Sequence, residues 1–316
     1  MMRIAAIAEP GRFEILDEPV PGIGPDEVLV RVAACGVCAS ELDIWRGEAG
    51  HATFPWYPGH EVSGIVERVG GEVHTFVPGD PVTVWVTTRG FADYVAVKAE
   101  YCFPAGDVAL ELALGEPLSC AVNAVELAGV SLGDDVVIMG AGFMGHLVHQ
   151  LVELRGPRRV IVADTRPDAL KRAEELGATL TVDVTRESVV DVVCRETNEA
   201  GADVTFEVTG VQAALDSLGD LTRMSGTVVI AGYHQGKPRR IPLGNWNWMA
   251  FRIVNAHFRE VPTILRGMGR AMRLLTSGRI SLAGLVTHRY PLVEIGAAFQ
   301  AAMDKPEGFV KATVMP

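Results

Sequence analysis

The chain reads as an α/β protein in two parts, a small β-rich unit and a doubly wound parallel sheet. Two observations predict this. Short alternating runs, "EVLVRVAA", "HEVSGIVERVG", "DPVTVWVTT" and "FADYVAV", succeed one another through the first third, with Gly and Pro between them. Past about residue 108 the texture changes, and buried-strand runs begin to alternate with helical stretches.

The early strands are short and closely spaced, which suggests a small barrel-like unit, and helical pattern is scarce there. "DDVVIMG" then opens the second part as an apolar strand, followed by "GHLVHQLVELRG" at helical period and by the strand "RRVIVADT". "PDALKRAEELG" is a helix with Pro near its start and Gly at its end. "TLTVDV", "DVTFEVTG", "TVVIAGY" and "RIVNAHF" supply further strands, with helical stretches such as "VQAALDSLGDLT" between some of them. From about Phe258 the pattern loosens into a helical "VPTILRGMGRAMRLLTSG" and reaches the strand-like "GFVKATVMP".

With 316 residues, 48% hydrophobic and 21% charged, the composition is that of a folded chain of about two domains. A balance of 28 basic against 39 acidic residues leaves −11, which argues against nucleic acid or an anionic membrane as partner. The start, "MMRIAAIAEPGRFEILDEP", has too short an apolar stretch for a secretion signal, and no run of about 18 apolar residues predicts a membrane span. Five cysteines form an odd set without disulfide spacing, so a reducing cytoplasm is the expected location.

One motif carries phosphate chemistry. Gly140, Gly142 and Gly145 stand around Phe143 and Met144 directly after a strand and before a helix. Gly140 permits the tight turn, Gly142 lets a pyrophosphate approach the backbone, and Gly145 lets helix and strand pack closely. Asp164 ends the next strand, 19 residues past Gly145, where a carboxylate accepts the ribose hydroxyls of NAD and repels the extra phosphate of NADP. Arg166 beside it keeps NADP open, but Asp164 favours NAD.

A second motif raises a question. "ACGVCASELD" holds Cys35 and Cys38 at C-x-x-C spacing. Read alone, the pair is half of a structural zinc knot, a redox pair, or one metal ligand beside a bystander. No second close pair exists among Cys102, Cys120 and Cys194, which weakens the knot. A catalytic zinc takes three ligands from separate loops and leaves one position open. "PGHEVSG" offers His60 and Glu61 for it, and "GEPLSCAV" offers Glu116.

In order, "CGVCASELDIW", "PGHEVSGIVERVG", "GFADYV", "EPLS" and "GAGFMG" resemble the zinc-dependent branch of the medium-chain dehydrogenase/reductase superfamily, nearest its polyol and threonine dehydrogenases. The resemblance spans nearly the whole chain. It implies a GroES-like catalytic domain over 1–121 and 258–316, interrupted by a Rossmann domain over 122–257. Position by position it makes Cys38 and His60 zinc ligands and Cys35 a bystander. Glu61 and Glu116 become carboxylates that bind zinc or hold its water, with the choice between them open. Ser40 becomes the acceptor of the substrate's hydroxyl proton, and the backbone near Ala231, Gly232 and Asn255 a flank for the nicotinamide.

Three departures from the family's pattern follow. "FVPGDPVTVWVTTRGFADYV" contains no cysteine where relatives often carry a four-cysteine lobe, so one catalytic zinc per chain and no structural zinc is expected. Glu41 stands where Asp is usual, and Asp43 stands where several relatives have a proton-relaying His, so Asp43 or water is expected to carry the proton out. The implied reaction moves a hydride between a secondary alcohol and NAD, with the ketone as the other partner. Asp43, Trp45 and Glu116 suggest a polyol, cyclitol or amino alcohol. Trp246 and Trp248 are expected to fill core or a subunit interface, and a homodimer or homotetramer, paired through "RIVNAHF", is expected. The rival readings are a zinc-free quinone or enoyl reductase of the same fold, and a non-catalytic dinucleotide-binding protein.

Overall fold

The computed structural model describes residues 1–49, 52–234 and 238–316. They form two units, Met1–Ser119 with Val261–Pro316, and Cys120–Glu260. In chain order the first stretch holds β1 (Met2–Glu9), β2 (Arg12–Glu18), β3 (Glu27–Gly36), α1 (Ala39–Trp45), β4 (Glu61–Val69), β5 (Pro81–Trp85), β6 (Tyr94–Lys98), β7 (Cys102–Pro104) and α2 (Gly115–Ala128). Then come β8 (Asp135–Met139), α3 (Phe143–Glu153), β9 (Arg159–Asp164), α4 (Pro167–Glu175), β10 (Leu180–Asp183), α5 (Val189–Glu196), β11 (Ala202–Glu207), α6 (Gln212–Leu221), β12 (Thr222–Ile230), α7 (Leu243–Trp248) and β13 (Arg252–Asn255). The chain continues through α8 (Val261–Thr276), β14 (Val286–Pro291), α9 (Ile295–Asp304) and β15 (Lys311–Met315).

The first unit is built on a sheet ordered β14-β15-β3-β4-β5-β7, with β6 also pairing β3 and with β1 and β2 forming a separate hairpin. Its strands are rich in valine, whose branched side chains suit a pleated surface. Val28, Val30, Val62, Val84 and Val314 bury one face, and Phe299 of α9 closes the core against Phe13, Trp45 and Phe91. Residues 86–93 run directly from β5 to β6. Helix α1 lies where helical pattern was expected to be scarce. At seven residues it is too short for a periodic signal, and packing of Leu42, Ile44 and Trp45 holds it.

The second unit is a six-stranded sheet ordered β10-β9-β8-β11-β12-β13, every neighbouring pair parallel. The order reverses between β8 and β11, and in sheets of this kind ligands bind at the carboxyl ends of the two strands at such a switch point. The two tryptophans of α7 part company. Trp246 is 1% exposed and joins the core with Leu215, Leu218 and Val228, whereas Trp248 is 80% exposed.

Candidate functional site

Strand register assembles the first cluster. Gly36 at the end of β3 pairs with Glu61 at the start of β4. Cys38 lies just beyond that pair on one strand and His60 just before it on the other, so the ladder's end places both on the same side. The ligand atoms of Cys38, His60 and Glu61 all lie within 4.8 Å of one another. Cys38 also begins α1 as its N-cap, with extended backbone. Ser40 Oγ donates to Cys38 Sγ at 3.3 Å.

Glu41, the residue one methylene longer than usual, still reaches the histidine. Its Oε1 accepts from Gly59 N at 2.6 Å and lies 3.1 Å from His60 Nδ1. A proton on Nδ1 leaves Nε2 as the outward ligand atom, the usual device for orienting a metal-binding imidazole. Burial pulls the pKa of His60 down, but the charges of Glu41 and Cys38 outweigh it and hold it well above the usual value. Cys35 differs in kind. It is fully buried in β3, and burial pushes its thiol well above its ordinary pKa, the signature of an inert cysteine.

Glu61 is 1% exposed and is met by Lys311 of β15, whose Nζ donates to Oε1 at 2.7 Å, lies 2.6 Å from Oε2, and donates to Val37 O at 2.8 Å. Burial pulls the Lys311 pKa down, yet Glu61, Cys38 and Glu116 together raise it, so the ammonium stays charged. Gly36 makes the carboxylate's room, since a Cβ there would overlap Glu61 Oε2. A thiolate, an imidazole and a carboxylate converging in this way are a donor set that fits zinc. Glu116 sits in the first turn of α2 near Lys311 and is not one of the three grouped ligands. Asp43 is ion-paired to Arg46.

The second cluster is the turn from β8 into α3. Gly140 has φ +113°, and a Cβ there would lie 2.8 Å from Thr209 Cγ2. Gly142 is the N-cap of α3 and, having no side chain, gives it no side-chain cap; a helix N-terminus of this kind is where a phosphate binds in dinucleotide folds. Phe143 is buried and Met144 half-buried in that turn. Gly145 abuts the carbonyl of Gly140. Asp164 Oδ2 accepts from Ala141 N at 2.7 Å, and Oδ1 accepts from Arg166 N at 3.0 Å with Arg166 Nε 3.6 Å away. Ala231 and Gly232 follow β12, where both N–H groups donate to Glu207 O, and Asn255 ends β13.

Lys311 and Glu207 were not picked out from the sequence. Lys311 is a lone charge inside the apolar strand "FVKATVM", and Glu207 follows Phe206 at the apolar end of "DVTFEVTG"; a charge among apolar neighbours is the signal that marks each.

Comparison with known proteins agrees with this geometry. Residues 24–107 match the alcohol dehydrogenase GroES-like domain, and residues 144–266 match the zinc-binding dehydrogenase family. Sorbitol dehydrogenase of Gallus gallus is 32% identical over 92% of this chain and 90% of its own. D-arabinitol dehydrogenase 1 of Uromyces fabae is 30% identical over 94% and 91%. The crystal structure of a zinc-binding dehydrogenase from Sinorhizobium meliloti 1021, bound to NADP, superimposes with a TM-score of 0.87 at 29% identity over 100% and 99% of the two chains. With its paired domain matches and relatives of this extent, the chain belongs to the zinc-dependent medium-chain dehydrogenase superfamily.

Proposed function

We propose that this dehydrogenase oxidises a secondary hydroxyl of a polyol, cyclitol or amino alcohol with NAD, through one zinc held by Cys38, His60 and Glu61. The observation that carries the reading is the convergence of those three ligand atoms within 4.8 Å, with the Ser40 hydroxyl on the cysteine sulfur. Zinc, when bound, supplies a Lewis acid that lowers the pKa of a substrate hydroxyl. Ser40 accepts the hydroxyl proton and releases its own toward solvent, with Asp43 or water beyond it. Glu41 keeps His60 turned to the ligand position. NAD, when bound, would supply the hydride acceptor, so that the secondary alcohol and NAD would give ketone, NADH and one proton. The sorbitol and arabinitol dehydrogenases among the relatives support a polyol.

Asp164 at the end of β9 supports NAD as the coenzyme, since a carboxylate at that point of a dinucleotide fold accepts from the ribose hydroxyls and repels a 2′-phosphate. The cysteine-free connection 86–93 supports a single metal per chain. Five free cysteines support a reducing, cytoplasmic setting, and among the described residues no helix is long and apolar enough to cross a membrane. Among the described residues β13 is the outer strand of its sheet and carries the exposed Ile253, which supports a dimer formed by pairing two such edges.

The test is an oxidation screen over polyols, cyclitols and amino alcohols with NAD and NADP, run beside metal analysis of the purified protein. NAD-linked turnover of a member of these classes with near one zinc per chain is expected. Turnover without metal would put the zinc-free reductase in its place, and two zinc ions per chain would overturn the single-site reading.

A further inference from the structure

Glu207 ends β11 and is 0% exposed, yet no step above uses it. Its Oε1 accepts from Thr209 N at 2.7 Å, from Gly210 N at 2.9 Å and from the Thr209 hydroxyl. Its Oε2 lies 2.6 Å from His234 Nε2, and its backbone carbonyl takes the N–H groups of Ala231 and Gly232. His234 is held from its other side, since Arg239 Nε donates to Nδ1 at 3.2 Å. A guanidinium only donates and a carboxylate only accepts, so the imidazole between them is the neutral tautomer with its proton on Nε2. Arg239 also donates to Gly210 O at 3.0 Å, closing the ring of contacts.

These groups tie together the loops that leave β11 and β12. A doubly wound sheet of this order binds one mononucleotide on each side of the switch point. Asp164 marks the adenosine half on β9, which leaves the half made by β11, β12 and β13 for the nicotinamide. A buried carboxylate with this many donors fixes its surroundings strongly, and losing one partner leaves the remainder unsatisfied.

We infer that Glu207, His234 and Arg239 are positioning residues that form a clasp setting the affinity for the nicotinamide half of the coenzyme. The inference rests on the dinucleotide reading of this unit. It is tested by titrating the full-length protein with NADH and, separately, with ADP-ribose, which lacks the nicotinamide. Arg239→Ala lies at the exposed end and leaves folding intact; His234→Ala removes the centre. Both are expected to weaken NADH binding by tenfold or more and to leave ADP-ribose binding within twofold. His234→Gln, whose amide donates and accepts as the imidazole does, is expected to recover most of the loss. Equal weakening of both ligands, or no weakening of NADH, overturns the clasp. A wild-type protein that binds neither ligand overturns the dinucleotide reading beneath it.

Discussion

Two cysteines three positions apart in sequence have opposite surroundings, and that difference governs what each substitution does. Cys38 faces His60 and Glu61, whereas Cys35 is sealed in the sheet with its thiol protonated. Cys38→Ser is expected to lower bound zinc and turnover by at least a hundredfold, while Cys35→Ser keeps most of both, as metal content and initial rates will read. Equal losses from the two would return the pair to a joint role. Cys38 and His60 were named through the family resemblance of their local motifs, which left the choice between Glu61 and Glu116 open. Lys311 escaped because its partner lies 250 residues away, and only the pairing of β15 with β3 brings that charge to Glu61. Nothing in a linear pattern reports such a juxtaposition.

Helix α3 carries a liability of its own. His146 and His149 are 0% exposed, and among the described residues neither imidazole finds a hydrogen-bond partner, although His149 Nε2 lies 3.4 Å from Glu153. Burial lowers the pKa of His146 to about 3, aided by His149, Arg172 and Arg166, and burial lowers that of His149 to about 4. In the unfolded chain both take a proton as the pH falls through about 6.5, while in the folded chain neither does until far lower. Stability therefore drops with falling pH, by roughly 2 kcal/mol per imidazole between pH 7 and pH 5. Urea unfolding at the two pH values is expected to reveal this loss, and His146→Leu with His149→Leu to remove most of it relative to wild type. An unchanged pH dependence in the double variant would refute the account. At this scale the sequence was informative where elements are long or strongly apolar, as for β8, α3 and α4. It was weak for α1 and α7, which are too short to repeat a pattern and exist because Trp45 and Trp246 dock into cores.

Across the whole molecule, the proposed pairing of two β13 edges makes a prediction about assembly. An edge strand presents unpaired backbone groups, and Ile253, 44% exposed, sits on it. Ile253→Lys is expected to shift the protein toward monomer in sedimentation experiments while leaving its circular dichroism unchanged; an unaltered oligomer would place the interface elsewhere. The order of synthesis adds a different consequence. Cys38, His60 and Glu61 all leave the ribosome early, but the ammonium that balances Glu61 is made 250 residues afterwards. At translation speeds of roughly 5 to 20 residues per second, that is a delay of about 12 to 50 seconds. For that interval the nascent acid has no cationic neighbour from β15, so its final electrostatic setting is reached only when the last strand is threaded into place.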